Sequence, residues 1–325
     1  LLSSSDASTG GSVKPMPRIG SGLASLSDGS TYVFGGSDPD VVGRSGGAMN
    51  DLWCLDHDET DPKGRNMKWA CAHPHSSSHG GELPCGRQQF AMKAERTSDR
   101  FFVFGGAADN DERLNDLWVY AAGKDGVDSG LWTCLSANGT AGAPPARAAA
   151  SLAVLDGCVV VFGGDTGSLE AGEMFNNDVW VFDWRVGGGK WTEHVASVAV
   201  SAGSPVLWPE ARSGHCCGMV EGKMYVTGGS VEDTEGGDAC GSAQGDVWCY
   251  DAQAKLWSLA FNSDVGGGFP AGRSYSSCCA HGHSLYLFGG CDANGREEND
   301  LWSFTPGEWK NALSAGVVCF LDCGR

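Results

Sequence analysis

Short apolar runs that end in paired glycines set the rhythm of this chain. They are Tyr32-Val33-Phe34-Gly35-Gly36, Phe102-Val103-Phe104-Gly105-Gly106, Val160-Val161-Phe162-Gly163-Gly164, Tyr225-Val226-Thr227-Gly228-Gly229 and Tyr286-Leu287-Phe288-Gly289-Gly290. A polar stretch follows each run and leads to an Asp-x-Trp: Asp51 to Trp53, Asp116 to Trp118, Asp178 to Trp180, Asp246 to Trp248 and Asp300 to Trp302. A further Trp closes each unit, at 69, 132, 191, 257 and 309, so these ten positions hold ten of the twelve Trp. A Pro-x-x-Arg precedes each run, ending at Arg18, Arg87, Arg147, Arg212 and Arg273. The runs are short, rich in Val, Phe, Tyr and Trp, and bounded by Gly or Asp, which predicts strands rather than helices.

Repetition at intervals of 70, 58, 65 and 61 residues makes this a repeat architecture. Each unit reads as four strands: a after the Arg, b up to the diglycine, c with the Asp-x-Trp, and d with the closing Trp. One four-stranded sheet cannot bury both its faces, whereas sheets packed radially around an axis bury one another's. In its diglycine, Asp-x-Trp and closing Trp, in that order, the chain resembles the kelch-repeat family, over about residues 15–312. The resemblance implies an all-β propeller of four-stranded antiparallel blades. Five repeats are expected, at roughly 15–80, 81–140, 141–205, 206–265 and 266–312, after a polar extension at 1–14. The tail 313–325 contains Ser314-Ala315-Gly316-Val317-Val318-Cys319-Phe320-Leu321-Asp322, which reads as an extra strand or the remnant of a further repeat. Five blades are expected, with six as the alternative.

Up-and-down strands put all d-to-a connections and all b–c loops on one rim. The Pro-x-x-Arg segments reach that rim near the axis, and the b–c loops are acidic: Asp38 and Asp40; Asp109, Asp111 and Glu112; Asp165, Glu170 and Glu173; Glu232, Asp233, Glu235 and Asp238; Asp292, Glu297 and Glu298. Loops on a rigid scaffold are where binding concentrates. In kelch domains that read acidic peptides, arginines at the start of strand a contact the ligand. The resemblance therefore implies Arg18, Arg87, Arg147, Arg212 and Arg273 as partner-binding residues, through charge-assisted hydrogen bonds. The structural alternative for each is an ion pair with the repeated Asp of Asp-x-Trp or a cap on loop carbonyls. His215, three residues after Arg212, joins the candidates because sialic-acid mutarotases of this fold use Arg, Glu and His around the axis.

Charge and composition narrow the partners. A formal net charge of −18 opposes nucleic acid and anionic membrane, which need a positive footprint. No apolar run reaches the length of a membrane span. The chain begins Leu1-Leu2-Ser3-Ser4-Ser5 without Met, which reads as a trimmed start. The 50 Gly fit many tight turns. Many of the fourteen Cys lie in strand-like runs, where free thiols behave as small hydrophobes, and this points to a reducing, cytoplasmic setting. Cys240 with Cys291, and Cys319 with Cys323, are the candidate disulfides in an oxidising one. Cys71, His73, His75, His79 and Cys85 form the one metal-like cluster, but their spacing fits no zinc finger. The copper set of galactose oxidase and the Glu-x3-Asp-x3-His iron pattern of plant specifier proteins are both missing, and no cofactor is expected. The sequence thus points to a non-catalytic module that binds a protein or peptide partner, with a small-ligand or sugar-active propeller bearing an axial site as the alternative. Carbohydrate binding would favour exposed aromatics in the b–c loops, where only Phe175 qualifies.

Overall fold

The computed structural model describes residues 14–40, 47–57, 67–76, 82–123, 129–167, 174–195, 207–232, 242–263 and 268–312. They form five antiparallel blades, each with four main strands ordered a-b-c-d along the chain, arranged as a five-blade propeller; the short strand Ser242–Ala243 joins the sheet of blade 4, and Arg273–Ser274 pairs with Cys291–Asp292 beside blade 5. Blade 1 comprises Gly22–Ser25, Thr31–Phe34, Leu52–His57 and Met67–His73. Blade 2 comprises Ala91–Ala94, Arg100–Ala107, Arg113–Ala121 and Leu131–Ser136, and blade 3 Ser151–Leu155, Cys158–Asp165, Phe175–Asp183 and Lys190–His194. Blade 4 comprises Arg212–Val220, Lys223–Val231, Val247–Asp251 and Leu256–Phe261, and blade 5 Ser277–His281, Ser284–Phe288, Leu301–Thr305 and Glu308–Asn311. The tail at 313–325 lies outside the described residues.

Alternation along the strands sends neighbouring side chains into opposite seams. Phe34, Phe104 and Phe162, each just before the diglycine, lie on the face of strand b that meets the following blade, and there each meets that blade's closing Trp. The ring centroids are 5.0 Å apart for Phe34–Trp132, 5.5 Å for Phe104–Trp191 and 4.8 Å for Phe162–Trp257. Such tilted or edge-on pairs add to the burial itself. Four apolar clusters fill the seams between blades 1 and 2, 2 and 3, 3 and 4, and 4 and 5. Among the described residues no such cluster joins blades 5 and 1. Their outward faces are correspondingly open, with Leu23 63% and Phe288 50% exposed and Trp69 only half-buried.

Near the axis a backbone relay links successive blades. The Gln89 N–H donates to Gly20 O, Ala149 to Gln89 O, Gly214 to Ala149 O and Tyr275 to Gly214 O, at 2.7–3.0 Å. All five residues have φ between 49° and 64°, a region that costs non-glycine residues energy and that packing must hold.

The diglycines have a steric cause. Gly105 and Gly106 have φ of +62° and +101° and sit where the b–c register shifts. A Cβ on Gly105 would lie 2.7 Å from the Arg147 carbonyl oxygen of the next blade, and one on Gly106 2.7 Å from that of Gln88. Gly139 supplies a control, since its φ is also positive (+76°) but a Cβ there meets nothing within 4 Å. Gly139→Ala is expected to cost about 1 kcal/mol from conformation alone, and Gly105→Ala at least about 2 kcal/mol more. Equal shifts of the two urea midpoints would refute the steric account.

Candidate functional site

The three sequence signals of each unit meet in one polar clasp. The arginine at or just before the start of strand a forms a two-pronged ion pair with the Asp of its own Asp-x-Trp: Arg18 with Asp51, Arg87 with Asp116, Arg147 with Asp178, Arg212 with Asp246 and Arg273 with Asp300. The N–O distances are 2.5–3.1 Å. Nη1 also donates to the carbonyl of the first glycine of the pair: Gly35, Gly105, Gly163, Gly228 and Gly289. The Trp two residues beyond the Asp lies on the same strand face, and its indole N–H donates to that Asp at 2.6–2.8 Å. Bidentate, charge-assisted geometry of this kind is strong and directional. Burial pushes the Asp51 carboxyl up, but hydrogen bonds from Arg18 and Trp53 outweigh it and hold the pKa below the ordinary carboxylate value. Asp300, with Arg273 and Trp302, shifts the same way for the same reason.

The arginines sequence reading offered as partner contacts are therefore buried within the blades. Arg87 and Arg147 are 0% exposed. Besides the carboxylate and glycine carbonyl, the Nε–H of each donates to the carbonyl two residues upstream, as in Arg87 to Cys85. A guanidinium so engaged has few donors left for a ligand. His215 is also buried, in the seam between blades 3 and 4, with Nε2 2.9 Å from Ser151 Oγ and 3.2 Å from the Phe162 carbonyl oxygen. Burial, with the Arg212 charge added, lowers its pKa to about 3.

The clasps fix what surrounds them. The Asn before the Asp donates from Nδ2 to the Pro carbonyl of the following unit: Asn50 to Pro84, Asn115 to Pro144 and Asn177 to Pro209. In the sequence the only signal of this role is an Asn immediately ahead of Asp-x-Trp in these units. The b–c loops share one rim, as expected, and several of their acids tie blades together. Asp109 Oδ1 accepts from the N–H groups of Gly47 and Ala48. Arg113 bridges Asp111 and Asp165, and Glu232 accepts from the Phe175 N–H at 2.7 Å. Asp40, Asp111, Glu112 and Glu297 remain exposed on this rim. Glu170, Glu173, Asp233, Glu235 and Asp238 lie outside the described residues.

The metal-like cluster is spread out. His73 packs edge-on against Tyr120, His75 Nδ1 accepts from the Asn50 N–H, and Cys85 Sγ accepts from Arg87. His79 lies outside the described residues, among which no group of three or more His, Cys, Asp or Glu could hold a metal ion. Cys291 is a free thiol, and Cys240, Cys319 and Cys323 lie outside the described residues.

At the opposite, a–b end of the axis, strand a of every blade lines one cavity of about 870 Å³. Its walls hold Lys93, Glu95 and Arg96 of blade 2 and Cys278, Cys279 and His281 of blade 5, but none of the five clasp arginines. Among the described residues no helix is long and apolar enough to cross a membrane.

Comparison with known proteins agrees with this geometry. The KLHDC2/KLHL20/DRC7 Kelch-repeats domain matches residues 63–206 and 202–316. Kelch domain-containing protein 3 of Rattus norvegicus is 26% identical over 262 residues, 77% of this chain and 61% of that protein. Its Homo sapiens counterpart is 26% identical over 250 residues, 74% of this chain and 58% of that protein. The Leucine-zipper-like transcriptional regulator 1 homolog of Drosophila melanogaster is 24% identical over 294 residues, covering 89% of this chain and 26% of that protein. The chain thus spans less than two thirds of the length of these relatives.

Proposed function

The chain belongs to the kelch-repeat family, and from that premise we propose that it is a non-catalytic interaction module that docks a protein or peptide on the rim of its d-to-a connections and b–c loops. Kelch-repeat propellers generally mediate protein interactions. The observation that carries the choice of rim is the set of five clasps. They immobilise the start of every strand a against the diglycine and Asp-x-Trp of the same blade. A frame that holds the ends of the described strands in this way lowers the ordering cost of binding beside it.

The arginines then act as positioning residues, and the partner meets the acids around them. With the guanidiniums paired, the exposed acids without an ion-pair partner among the described rim residues are Asp40, Asp109, Glu112 and Glu297, in a chain of net charge −18. That favours a partner presenting Lys or Arg. Charge of this kind acts mainly through association rate and is screened by salt. Neutralising Glu112 and Glu297 together (Glu112→Gln, Glu297→Gln) is expected to slow association with a basic partner about tenfold at low salt and to leave the unfolding midpoint unchanged. Equal rates for variant and wild type across ionic strength would remove this surface from the account.

The axial sugar-site alternative draws less support. It needed clasp arginines and His215 free to meet a ligand at the axis, whereas the guanidiniums are taken up by their Asp partners and His215 is buried against Ser151 and Phe162 in the seam between blades 3 and 4.

A further inference from the structure

Two neighbouring blades bring thiols face to face beside the axis. On strand a, the residue paired with the last residue of the b-strand run faces the following blade: Gly22, Ala91, Ser151 and Cys216. The next residue faces the preceding blade: Met92, Leu152, Cys217 and Cys278. The two sets meet across each seam. A Cβ on Gly22 would lie 2.8 Å from Met92 Cβ, and Cys217 reaches across to donate to the Leu152 carbonyl at 3.1 Å. Between blades 4 and 5 both members of the facing pair are cysteine.

Cys278 shows the same reach, its Sγ lying 3.0 Å from the Cys217 carbonyl oxygen. Cys216 and Cys278 pack in one apolar cluster, on the two strand faces that meet across the seam between blades 4 and 5. Cys278 also lines the axial cavity and is half-buried, whereas Cys216 is buried and does not line it. Across that cavity Lys93 of blade 2 places its ammonium 3.4 Å from the Cys278 carbonyl oxygen.

We propose that Cys216 and Cys278 form a dithiol modification site that a small hydroperoxide entering the axial cavity oxidises to a disulfide joining blades 4 and 5. The Cys278 sulfur attacks the terminal peroxide oxygen. The O–O bond breaks, and the leaving alkoxide takes the thiol proton as an alcohol, or as water from hydrogen peroxide. The product is a sulfenic acid on Cys278. The Cys216 sulfur then attacks that sulfur, the S–S bond forms, and the S–O bond breaks. The departing hydroxyl takes the Cys216 proton as water. Two thiols lose two electrons in all, and the hydroperoxide gains them. The order follows from access and charge, because the thiolate is the nucleophile. The hydrogen bond from Cys216 leads, and with the Lys93 charge it holds the Cys278 thiol below its ordinary range against the pull of burial, while Cys216 is pushed up.

The test treats the full chain with a small excess of hydrogen peroxide, blocks remaining thiols by alkylation, and maps peptides by mass spectrometry without reduction. One linked peptide pair carrying Cys216 and Cys278 is expected, cleaved by dithiothreitol and formed several-fold faster than the exposed Cys134 is oxidised. Cys134 oxidised while Cys278 stays free, or Cys278 paired with another cysteine, overturns the proposal. The wild-type map needs no variant to fold. Lys93→Met, with its fold checked by circular dichroism, is expected to slow cross-linking about tenfold, and Lys93→Arg to restore it. An unchanged rate in Lys93→Met overturns the role given to Lys93.

Discussion

Replacing Asp116 with alanine is expected to destabilise the protein by about 3–5 kcal/mol, the cost of leaving a buried charge without its partner. Arg87 is 0% exposed and its side chain meets Asp116 through both carboxylate oxygens at 2.7 Å. Removing the carboxylate strands that guanidinium and takes away the acceptor of the Trp118 indole N–H. Water offers little relief, since only 9% of the Asp116 side chain is exposed. The equivalent Asp300 is 27% exposed, so Asp300→Ala is expected to cost about half as much, solvent replacing part of the lost interaction. The double variant Arg87→Met/Asp116→Leu is expected to recover much of the loss, because an apolar pair removes both charges at once. Urea-unfolding midpoints of the three variants decide the matter. Equal costs for Asp116→Ala and Asp300→Ala, or no recovery in the double variant, would mean that burial of the pair does not set its worth.

That clasp also shows what the sequence could and could not reveal. Pro-x-x-Arg, diglycine and Asp-x-Trp were legible as separate landmarks, because each repeats five times in a fixed order, and their order implied blades. Their meeting was weighed for the arginines only as an ion-pair alternative. Arg87 and Asp116 are 29 residues apart, and nothing local in the sequence ties them; sheet register brings them together. The same physics separates Arg212 from His215. Both looked like members of an axial set, yet strand a alternates its side chains between seams, and His215 turns into the aromatic packing beside Phe162, with ring centroids 5.1 Å apart. Lys93 and the Cys216–Cys278 pair went unremarked for the converse reason. A single lysine has no repeat to announce it, and two cysteines 62 residues apart are neighbours only because blades 4 and 5 are. Repetition reveals the scaffold, whereas features that occur once on it need coordinates.

His215 gives the second large effect, through acid. In the folded protein its pKa lies at about 3, because burial and the Arg212 charge disfavour the imidazolium; in the unfolded chain it returns to about 6.5. The carbonyl oxygen of Phe162 can only accept, so the proton of the neutral ring sits on Nε2, and a second proton would have to be held in a dry seam. Between these two values the unfolded chain binds a proton that the folded chain does not, so stability is complete above pH 6.5 and falls as pH drops towards 3. A shift of this size corresponds to a loss on the order of 4–5 kcal/mol across that window. His215→Gln cannot titrate, and its side-chain amide can still donate to the Phe162 carbonyl. Its stability at neutral pH is expected to be lower than that of wild type, from imperfect packing, but its decline between pH 6.5 and 4 is expected to be much shallower. The paired carboxylates Asp51 and Asp300 do not blur the comparison, since both proteins keep them and their contribution is lost only below the ordinary carboxylate range. Parallel curves of unfolding midpoint against pH for the two proteins would show that His215 takes up its proton in the folded protein as readily as in the unfolded chain, and would overturn this account.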